Sequence, residues 1–469
     1  MSSNRPMTSF LTGLRDRLGP AGLLTDPQDC EAYAIDWRRL FPGKPLAVAR
    51  PANTDDVAML MAFCHAEGIA IVPQSGNTGM AGGAVPDQSG QQLVLSLARM
   101  NTIRTVDPVG MTLEAEAGVV LKAAQDAALA KGRLLPISLA AEGSAMIGGL
   151  VATNAGGLNV LRYGMTRGLV LGLEVVLADG TIVNGLRHLR KDNAGYDWKQ
   201  IFIGSEGTLG IVTAAVLRLL PQPKDKVTAL LSVPHPQAAL DLLACAQDEL
   251  GDNITACELI AGFSLKLVDK HFGLRRPIDD GEWFVLIEAA SSLSGLRDAA
   301  EAALTRALEQ GYALDGVVAE SVQQSADLWQ LRERITESEA KEGKSVKHDV
   351  SVPIPSIPAF LRTADAALAK HQPGTRINCF GHLGDGNLHY NVIIDGHDVD
   401  AINHIVHDVV QLYGGSISAE HGIGQYRVTE LERRRSVPEQ NLSRRIKQAL
   451  DPDHVLNPGK VLPRIRRPD

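Results

Sequence analysis

Pro73-Gln-Ser-Gly-Asn-Thr-Gly-Met-Ala-Gly-Gly83 is the stretch on which the fold turns. Four of its residues are glycine (Gly76, Gly79, Gly82, Gly83), which frees the backbone to turn N–H groups inward. Ser75, Asn77 and Thr78 add side-chain donors. Such a nest suits an anion, typically a diphosphate. The spacing is neither G-x-G-x-x-G nor G-x-x-x-x-G-K-[ST], so the common nucleotide fingerprints do not apply. The same glycines would also serve a plain turn, and the segment alone leaves both readings open.

Working outward, the preceding residues read as a β-α-β unit that delivers this loop. Leu46-Ala-Val-Ala-Arg50 is a strand, and Ile69-Ala-Ile-Val72 is a buried one. Between them Thr54 caps a helix, with Asp55 and Asp56 in the first turn where the helix dipole favours negative charge. Its apolar positions Val57, Leu60, Met61 and Cys64 lead to a stop at Gly68. Before it, residues 1–45 read as a short helix (Thr8 to Leu18) and an irregular approach.

After the loop come two more segments of small residues. Gly143-Ser-Ala-Met-Ile-Gly-Gly149 leads to Thr153-Asn-Ala-Gly-Gly157 and Arg162-Tyr-Gly164. Asn193-Ala-Gly-Tyr-Asp197 leads to Ile203-Gly-Ser-Glu-Gly-Thr-Leu-Gly-Ile-Val-Thr213. Strand-like runs, Leu173–Leu177 and Ile211–Leu220, separate them. Three such loops on one α+β framework are what a long, flat cofactor with a diphosphate requires.

The totals narrow the class. A chain of 469 residues exceeds one hydrophobic core, so two or three domains are expected. A hydrophobic fraction of 45% and a charged fraction of 21% suit a globular protein. Net charge −8 without a basic run argues against a nucleic-acid partner. Cys30, Cys64, Cys245, Cys257 and Cys379 are scattered, with no C-x-x-C, which argues against an iron–sulfur cluster, c-type haem or a disulfide framework. No signal-peptide pattern opens the chain, and no apolar run reaches the ~18 residues of a membrane span. The expectation is a cytoplasmic protein without a transmembrane segment, at most peripheral to the inner membrane.

Pro221-Gln-Pro-Lys-Asp225 reads as a domain boundary. Beyond it helices (236–250, 296–310) alternate with strands (255–260, 284–289, 314–319), which suits an antiparallel sheet with helices on one face. Ser321–Gly343 reads as one long helix, placing Arg332 and Thr336 on a shared face. Lys347 follows in an alternating strand, Ser345–Val352. Taken singly, such Arg, Thr and Lys residues mostly just meet water.

Phe380-Gly-His-Leu-Gly-Asp-Gly-Asn-Leu-His-Tyr-Asn391 carries the sharpest chemical signal. With Asp385-Gly386 as a two-residue hairpin loop, His382 lies opposite His389, and Asn391 follows on the same face. Facing Cβ atoms are about 5 Å apart, close enough for two imidazoles to share an ion. A helix over 399–413 and a strand Ser416–Ala419 then deliver Glu420 and His421. Two imidazoles, a carboxylate and an open position form the ligand set of a catalytic zinc or a similar divalent ion. Any one of these histidines alone is more often a surface residue; the pairing carries the metal reading.

The segments Pro73 to Gly83, Gly143 to Gly164 and Glu206-Gly-Thr-Leu-Gly210 resemble the flavin-binding domain of the vanillyl-alcohol oxidase / p-cresol methylhydroxylase superfamily. Within it the chain resembles the FAD-dependent D-2-hydroxyacid dehydrogenases, from about residue 40 to Leu462, and Leu331-Arg-Glu-Arg-Ile-Thr336 with Lys347-His-Asp-Val-Ser351 is similar to the D-2-hydroxyglutarate dehydrogenase subgroup. The resemblance implies an α+β fold: a two-part FAD-binding domain of the p-cresol methylhydroxylase type (1–223), an α+β cap domain with an antiparallel sheet and the metal site (224–425), and a C-terminal segment (426–469) returning to the FAD domain. It implies FAD contacts at Pro73, Ser75, Gly76, Asn77, Thr78, Gly79, Gly82, Gly143, Ser144, Ile147, Gly148, Gly149, Asn154, Gly156, Gly157, Tyr163, Gly164, Glu206, Gly207, Gly210, Ile211, Val212 and Asn457. Ser75-Gly76-Asn77 stands where some relatives attach flavin through a His, so the FAD is expected to be non-covalent.

The resemblance further implies a divalent metal, zinc foremost, on His382, His389 and Glu420, substrate contacts from Arg332, Thr336, Lys347 and Asn391, and His421 as base. The implied reaction oxidises a D-2-hydroxy acid, D-2-hydroxyglutarate or D-malate, to its 2-oxo acid. Electrons would then pass to a separate carrier: an electron-transfer flavoprotein, a quinone or a cytochrome. A homodimer is compatible with this picture. Two rival readings stand beside it: a D-lactate or glycolate dehydrogenase on the same scaffold, which has no need of Lys347, and a non-catalytic flavin-binding subunit.

Overall fold

The computed structural model describes residues 7–279, 281–394 and 398–464. They form two compact units, and the architecture is α+β throughout. The first unit comprises Met1–Ala155, Met165–Pro221 and His421–Asp469; the second comprises Gly156–Gly164 and Gln222–Glu420.

In the first unit, Pro45–Ala49, Gln92–Ser96 and Ile71–Gln74 form parallel neighbours, with Leu23–Leu24 added antiparallel at the edge. Helix Thr54–Glu67 buries Val57, Leu60, Met61 and Cys64 against this sheet. Its cap is Asn53, one residue earlier than expected: Asn53 Oδ1 accepts the Asp56 N–H at 2.8 Å, while Thr54 Oγ1 donates to Glu174 at 2.6 Å. Gly68 ends the helix in the left-handed region, φ 67°. A second sheet, antiparallel throughout, runs in the order Ile103–Asp107, Thr112–Glu116, Ile211–Arg218, Val170–Val176, Ile182–Gly185.

Residues 455–457 are stitched into the first sheet. Ile71 N–H donates to Val455 O at 2.7 Å, and Asn457 N–H donates to Ile71 O at 2.8 Å. Behind this stitch Lys447, nearly buried, donates to Asp451 at 2.5 Å, to Thr208 O at 2.7 Å and to Leu456 O at 2.8 Å. Burial pulls the Lys447 ammonium below the usual lysine range, against the opposing pull of Asp451. Removing the cation would strand a carboxylate with no exposed surface. Lys447→Ala is therefore expected to cost about 3 kcal/mol, read as a lower denaturant midpoint.

The second unit is built on an eight-stranded antiparallel sheet. Its order is Asp315–Val318, Asp225–Val233, Trp283–Ser291, Ile254–Ala261, Arg376–His382, Asn387–Ile393, Ser345–Val346, with Asp349–Ser351 also on Asn387–Ile393. Helices cover both faces rather than the one expected. Val227, Ala229, Leu231 and Val233 pack with helices Pro236–Leu250, Leu296–Glu309, Ile357–His371 and Val399–Leu412. Leu230, Ile260, Phe284, Leu286 and Phe380 pack with Gly262–Phe272 and Val322–Glu333. Central strands apolar at both parities are what a sheet buried on two sides needs.

Four local expectations change. The helix expected over Ser321–Gly343 is two, Val322–Glu333 and Ile335–Glu342, interrupted at Arg334, whose ψ of −7° departs from α-helical values. The strand expected over Ser345–Val352 keeps one register but is interrupted at Lys347 and His348, because the His348 N–H is diverted to Asn391 Oδ1 at 3.2 Å. Ser416–Ala419 is no strand; it makes a single bridge, Ser416 with Ser351, and Ser416 Oγ donates to Ser418 O. The hairpin loop spans Leu383 to Gly386, closed by Gly386 N–H on His382 O at 3.1 Å. A type I′ turn needs positive φ at both loop residues, and of the two only Gly386 has it, at 84°. Phe380, not His382, therefore pairs with His389.

Candidate active site

The second unit's site is a stripe on one sheet face. Period-two alternation puts Asn378, Phe380 and His382 on the same side as Asn387, His389 and Asn391. On the neighbouring strand Glu258 pairs directly with His382. The imidazoles of His382 and His389 sit diagonally, with ring centroids 5.9 Å apart.

Glu420 meets both rings. His382 Nε2 lies 3.7 Å from Glu420 Oε1, and His389 Nε2 lies 4.0 Å from Oε2. The ligand atoms of the three residues all fall within 4.8 Å of one another. Glu420 is held by the Gly157 N–H on its Oε1 at 2.8 Å and by its own N–H on Asp349 Oδ2 at 2.9 Å. Each imidazole turns its other nitrogen toward a buried carboxylate: His382 Nδ1 is 2.5 Å from Glu258 Oε1, and His389 Nδ1 is 4.0 Å from Asp349 Oδ1. Both Nε2 atoms thus face one point shared with a carboxylate, as in carboxylate–histidine–metal relays. The donor set fits a zinc-like divalent ion that retains open positions.

Without an ion the local charge balance is different. Burial disfavours an imidazolium at His382, but the charge and hydrogen bond of Glu258 outweigh it and raise the group to about 9. Burial alone would push the Glu258 carboxyl up; His382 and Arg332 together hold it well below the usual range.

Three of the four substrate-contact candidates sit against buried carboxylates, Arg332 against Glu258 and both Lys347 and Asn391 against Glu339. Arg332 is buried, donates from Nε to Glu258 Oε2 at 2.5 Å and lies 4.5 Å over the Phe380 ring. Lys347, partly exposed, sits 3.2 Å from the fully buried Glu339. Asn391 donates to the same carboxylate at 2.8 Å, as does Asn378 at 2.5 Å. Thr336 is exposed. His421 is half-buried and follows Glu420 directly in the chain.

In the first unit the small-residue loops cross. A Cβ at Gly76 would lie 2.1 Å from Ser144 O, and one at Gly207 would lie 2.3 Å from Pro73 Cγ. Gly148 and Gly149 face Ser75. Asn77 takes φ 51° and donates to Ile35 O; Glu206, at φ 52°, accepts from Ile423 and Gly424 N–H at 2.7 Å each. Asn457 links two loops, donating to Gly83 O at 3.0 Å and Glu206 O at 2.8 Å. Gly79, Gly143 and Ser144 are exposed and Thr78 is half-buried beside them. Gly82 packs on Phe41 and Gln425. Asn154 caps helix Ile147–Thr153 at φ 50°. Close crossing of loops at Gly76 and Gly207, where a side chain has no room, fits backbone-lined binding of a diphosphate cofactor.

Several candidates go elsewhere. Ile147, Ile211 and Val212 point into the hydrophobic core, and Gly210 packs against Val175 and Phe202. Gly156, Gly157, Tyr163 and Gly164 belong to the second unit, where Arg162 anchors their segment on Asn253 at 3.2 Å. Glu258, Glu339 and Asp349 escaped the sequence reading. Glu258 had left a signal: a lone acid in an eight-residue buried strand must find a cationic partner.

Comparison with known proteins gives a consistent result. The profile described as "FAD linked oxidases, C-terminal domain" matches residues 222–461, and "FAD binding domain" matches 45–185. The chain is 40% identical to a mitochondrial D-2-hydroxyglutarate dehydrogenase of Bos taurus, over 96% of this chain and 82% of that one. It is 40% identical to a D-2-hydroxyglutarate dehydrogenase of Xanthomonas citri pv. viticola, over 94% of each. Among solved structures, p-cresol methylhydroxylase superposes with a TM-score of 0.75 at 15% identity over 97% of each chain, and alkyldihydroxyacetonephosphate synthase with 0.74 at 19% identity, over 96% of this chain and 84% of that one. These last two speak to the fold alone. No helix among the described residues is long and apolar enough to cross a membrane.

Proposed function

Because the chain belongs to the family of FAD-linked oxidases, we propose that it oxidises a D-2-hydroxy acid, foremost D-2-hydroxyglutarate, to the 2-oxo acid. FAD would be held non-covalently by the crossed loops at Ser75–Gly79, Gly143–Gly149 and Glu206–Gly207, since no histidine stands in the Pro73–Gly83 segment. A divalent ion, zinc foremost, would be held by His382, His389 and Glu420. When bound, FAD would supply the hydride acceptor that no side chain offers, and the ion a Lewis acid toward the substrate.

The observation that carries this reading is the three-residue donor set with a carboxylate behind each imidazole. Arg332, fixed by Glu258 and Phe380, would present its guanidinium to a substrate carboxylate. Lys347 would meet the distal carboxylate of a dicarboxylic acid, sharing its charge with Glu339. His421 would accept the proton of the 2-hydroxyl, the usual work of an imidazole base. Electrons would leave through a separate carrier, since the sequence holds no haem, cluster or nicotinamide motif.

The test is anaerobic mixing of the yellow protein with D-2-hydroxyglutarate, D-malate, D-lactate and glycolate, with and without prior chelation. The flavin colour is expected to bleach with the dicarboxylic acids and to persist after chelation. Colour that persists with every acid in untreated protein would sink the reading. Acid precipitation is expected to release the FAD into the supernatant.

A second reading has its own support. Lys347 already faces a carboxylate, which leaves it less free for a substrate's and suits a monocarboxylic acid such as D-lactate. Lys347→Ala separates the two. On the dicarboxylate reading KM for D-2-hydroxyglutarate rises roughly tenfold or more, with little change for D-lactate. An unchanged KM favours the monocarboxylate reading.

A further inference from the structure

We propose that Glu258 is a positioning residue that couples the candidate metal site to the candidate substrate clamp, one carboxylate fixing His382 and Arg332 together. This rests on the metal-dependent reading above.

Glu258 lies mid-strand in Ile254–Ala261, where every residue is buried, and it has no exposed surface itself. Its neighbours Cys257 and Leu259 turn to the opposite face, into the large core. Its backbone is paired in the ladder directly with His382, so the two side chains leave the sheet side by side. The two carboxylate oxygens are divided between two donors. Oε1 takes His382 Nδ1 and Oε2 takes Arg332 Nε, each at 2.5 Å. The Phe380 ring, two residues before His382, closes the other side of the guanidinium at 4.5 Å.

The consequence is a shared constraint. With Nδ1 given to Glu258, His382 keeps Nε2 for the point it shares with Glu420. With Nε given to the same carboxylate, Arg332 keeps its outer nitrogens for an anion. Glu258 cannot rotate to serve one donor without dropping the other. A glutamine has nearly the same shape but only one acceptor oxygen; its amide N–H₂ would face one of the two donors. Glu258→Gln should therefore weaken the ion's hold and the clamp in one step.

The experiment uses the full-length, FAD-loaded protein. Metal is stripped with a chelator, and Zn²⁺ is titrated back against a competing chromophoric chelator, with flavin absorbance marking the folded fraction. Zn²⁺ affinity of Glu258→Gln is expected to fall about 10–100-fold, and KM for D-2-hydroxyglutarate to rise in the same variant. Adding Glu258→Gln to His382→Ala is expected to weaken Zn²⁺ binding no further than His382→Ala alone. If Glu258→Gln does not fold, Glu258→Asp decides: it keeps the charge but withdraws it, and a weakened Zn²⁺ affinity supports the role. Wild-type affinity in the folded Gln or Asp variant overturns it, as do additive losses in the double variant. Wild-type protein that takes up no Zn²⁺ overturns the metal reading and this inference together, whereas equal uptake by wild type and Glu258→Gln overturns only the inference.

Discussion

Glu420→Ala is expected to lower kcat on a D-2-hydroxy acid by roughly two to three orders of magnitude, a loss of about 3–4 kcal/mol of transition-state stabilisation. The carboxylate is the one anionic member of the donor set and touches both imidazoles. Its loss leaves two neutral-capable ligands, which hold a zinc-like ion poorly. It also frees the Gly157 N–H from its acceptor. Glu420→Gln keeps a hydrogen-bond acceptor for Gly157 but not the charge, so its rate should stay close to that of the Ala variant if the charge is what matters. Metal content by elemental analysis should fall with the rate, while FAD content stays at the wild-type level. A Glu420→Ala enzyme that turns over at full speed, or wild type indifferent to chelation, would remove the metal from the mechanism.

Gly76→Ala is expected to strip the protein of FAD, with occupancy after gel filtration falling about tenfold or more, as a local loss of roughly 1–3 kcal/mol from overpacking would produce. The reason is backbone against backbone. The added Cβ would lie 2.1 Å from Ser144 O, 3.1 Å from Ser144 C and 3.2 Å from Ala145 Cα, and none of these atoms can swing aside as a flexible side chain would. One of the two crossing loops must move, and the proposed diphosphate nest moves with it. Gly168→Ala is the control from the same unit: its Cβ would meet nothing within 4 Å, its φ is not in the left-handed region, and it lies outside the loops proposed to hold FAD. It should hold FAD as wild type does. Equal flavin retention by both variants would show that the crossing at Gly76 does not shape the cofactor site.

In the hairpin, local pattern fixes the face of each side chain but not its cross-strand partner. A two-residue loop was expected and a four-residue one is observed. The partner of His389 moved from His382 to Phe380, a shift of two residues along the strand. Alternation has period two, so an even shift leaves every side chain on its face. His382, His389 and Asn391 therefore share a face under either loop. The helix over 321–343 fared otherwise: its interruption at Arg334 leaves Arg332 buried against Glu258 and Thr336 exposed, and helical periodicity offered no hint of that.

By itself the sequence determined what is local or periodic. It specified the β-α-β unit that leads into the glycine-rich loop, the α+β class, the family, and the donors that one strand face carries. These follow from spacing along the chain, which folding does not alter. Tertiary structure alone decided which carboxylates stand behind those donors. Glu258 reaches His382 across 124 positions of sequence, and Asp349 reaches the Glu420 backbone across 71. A buried acid must be matched by a partner, but only the order of strands in the sheet says which.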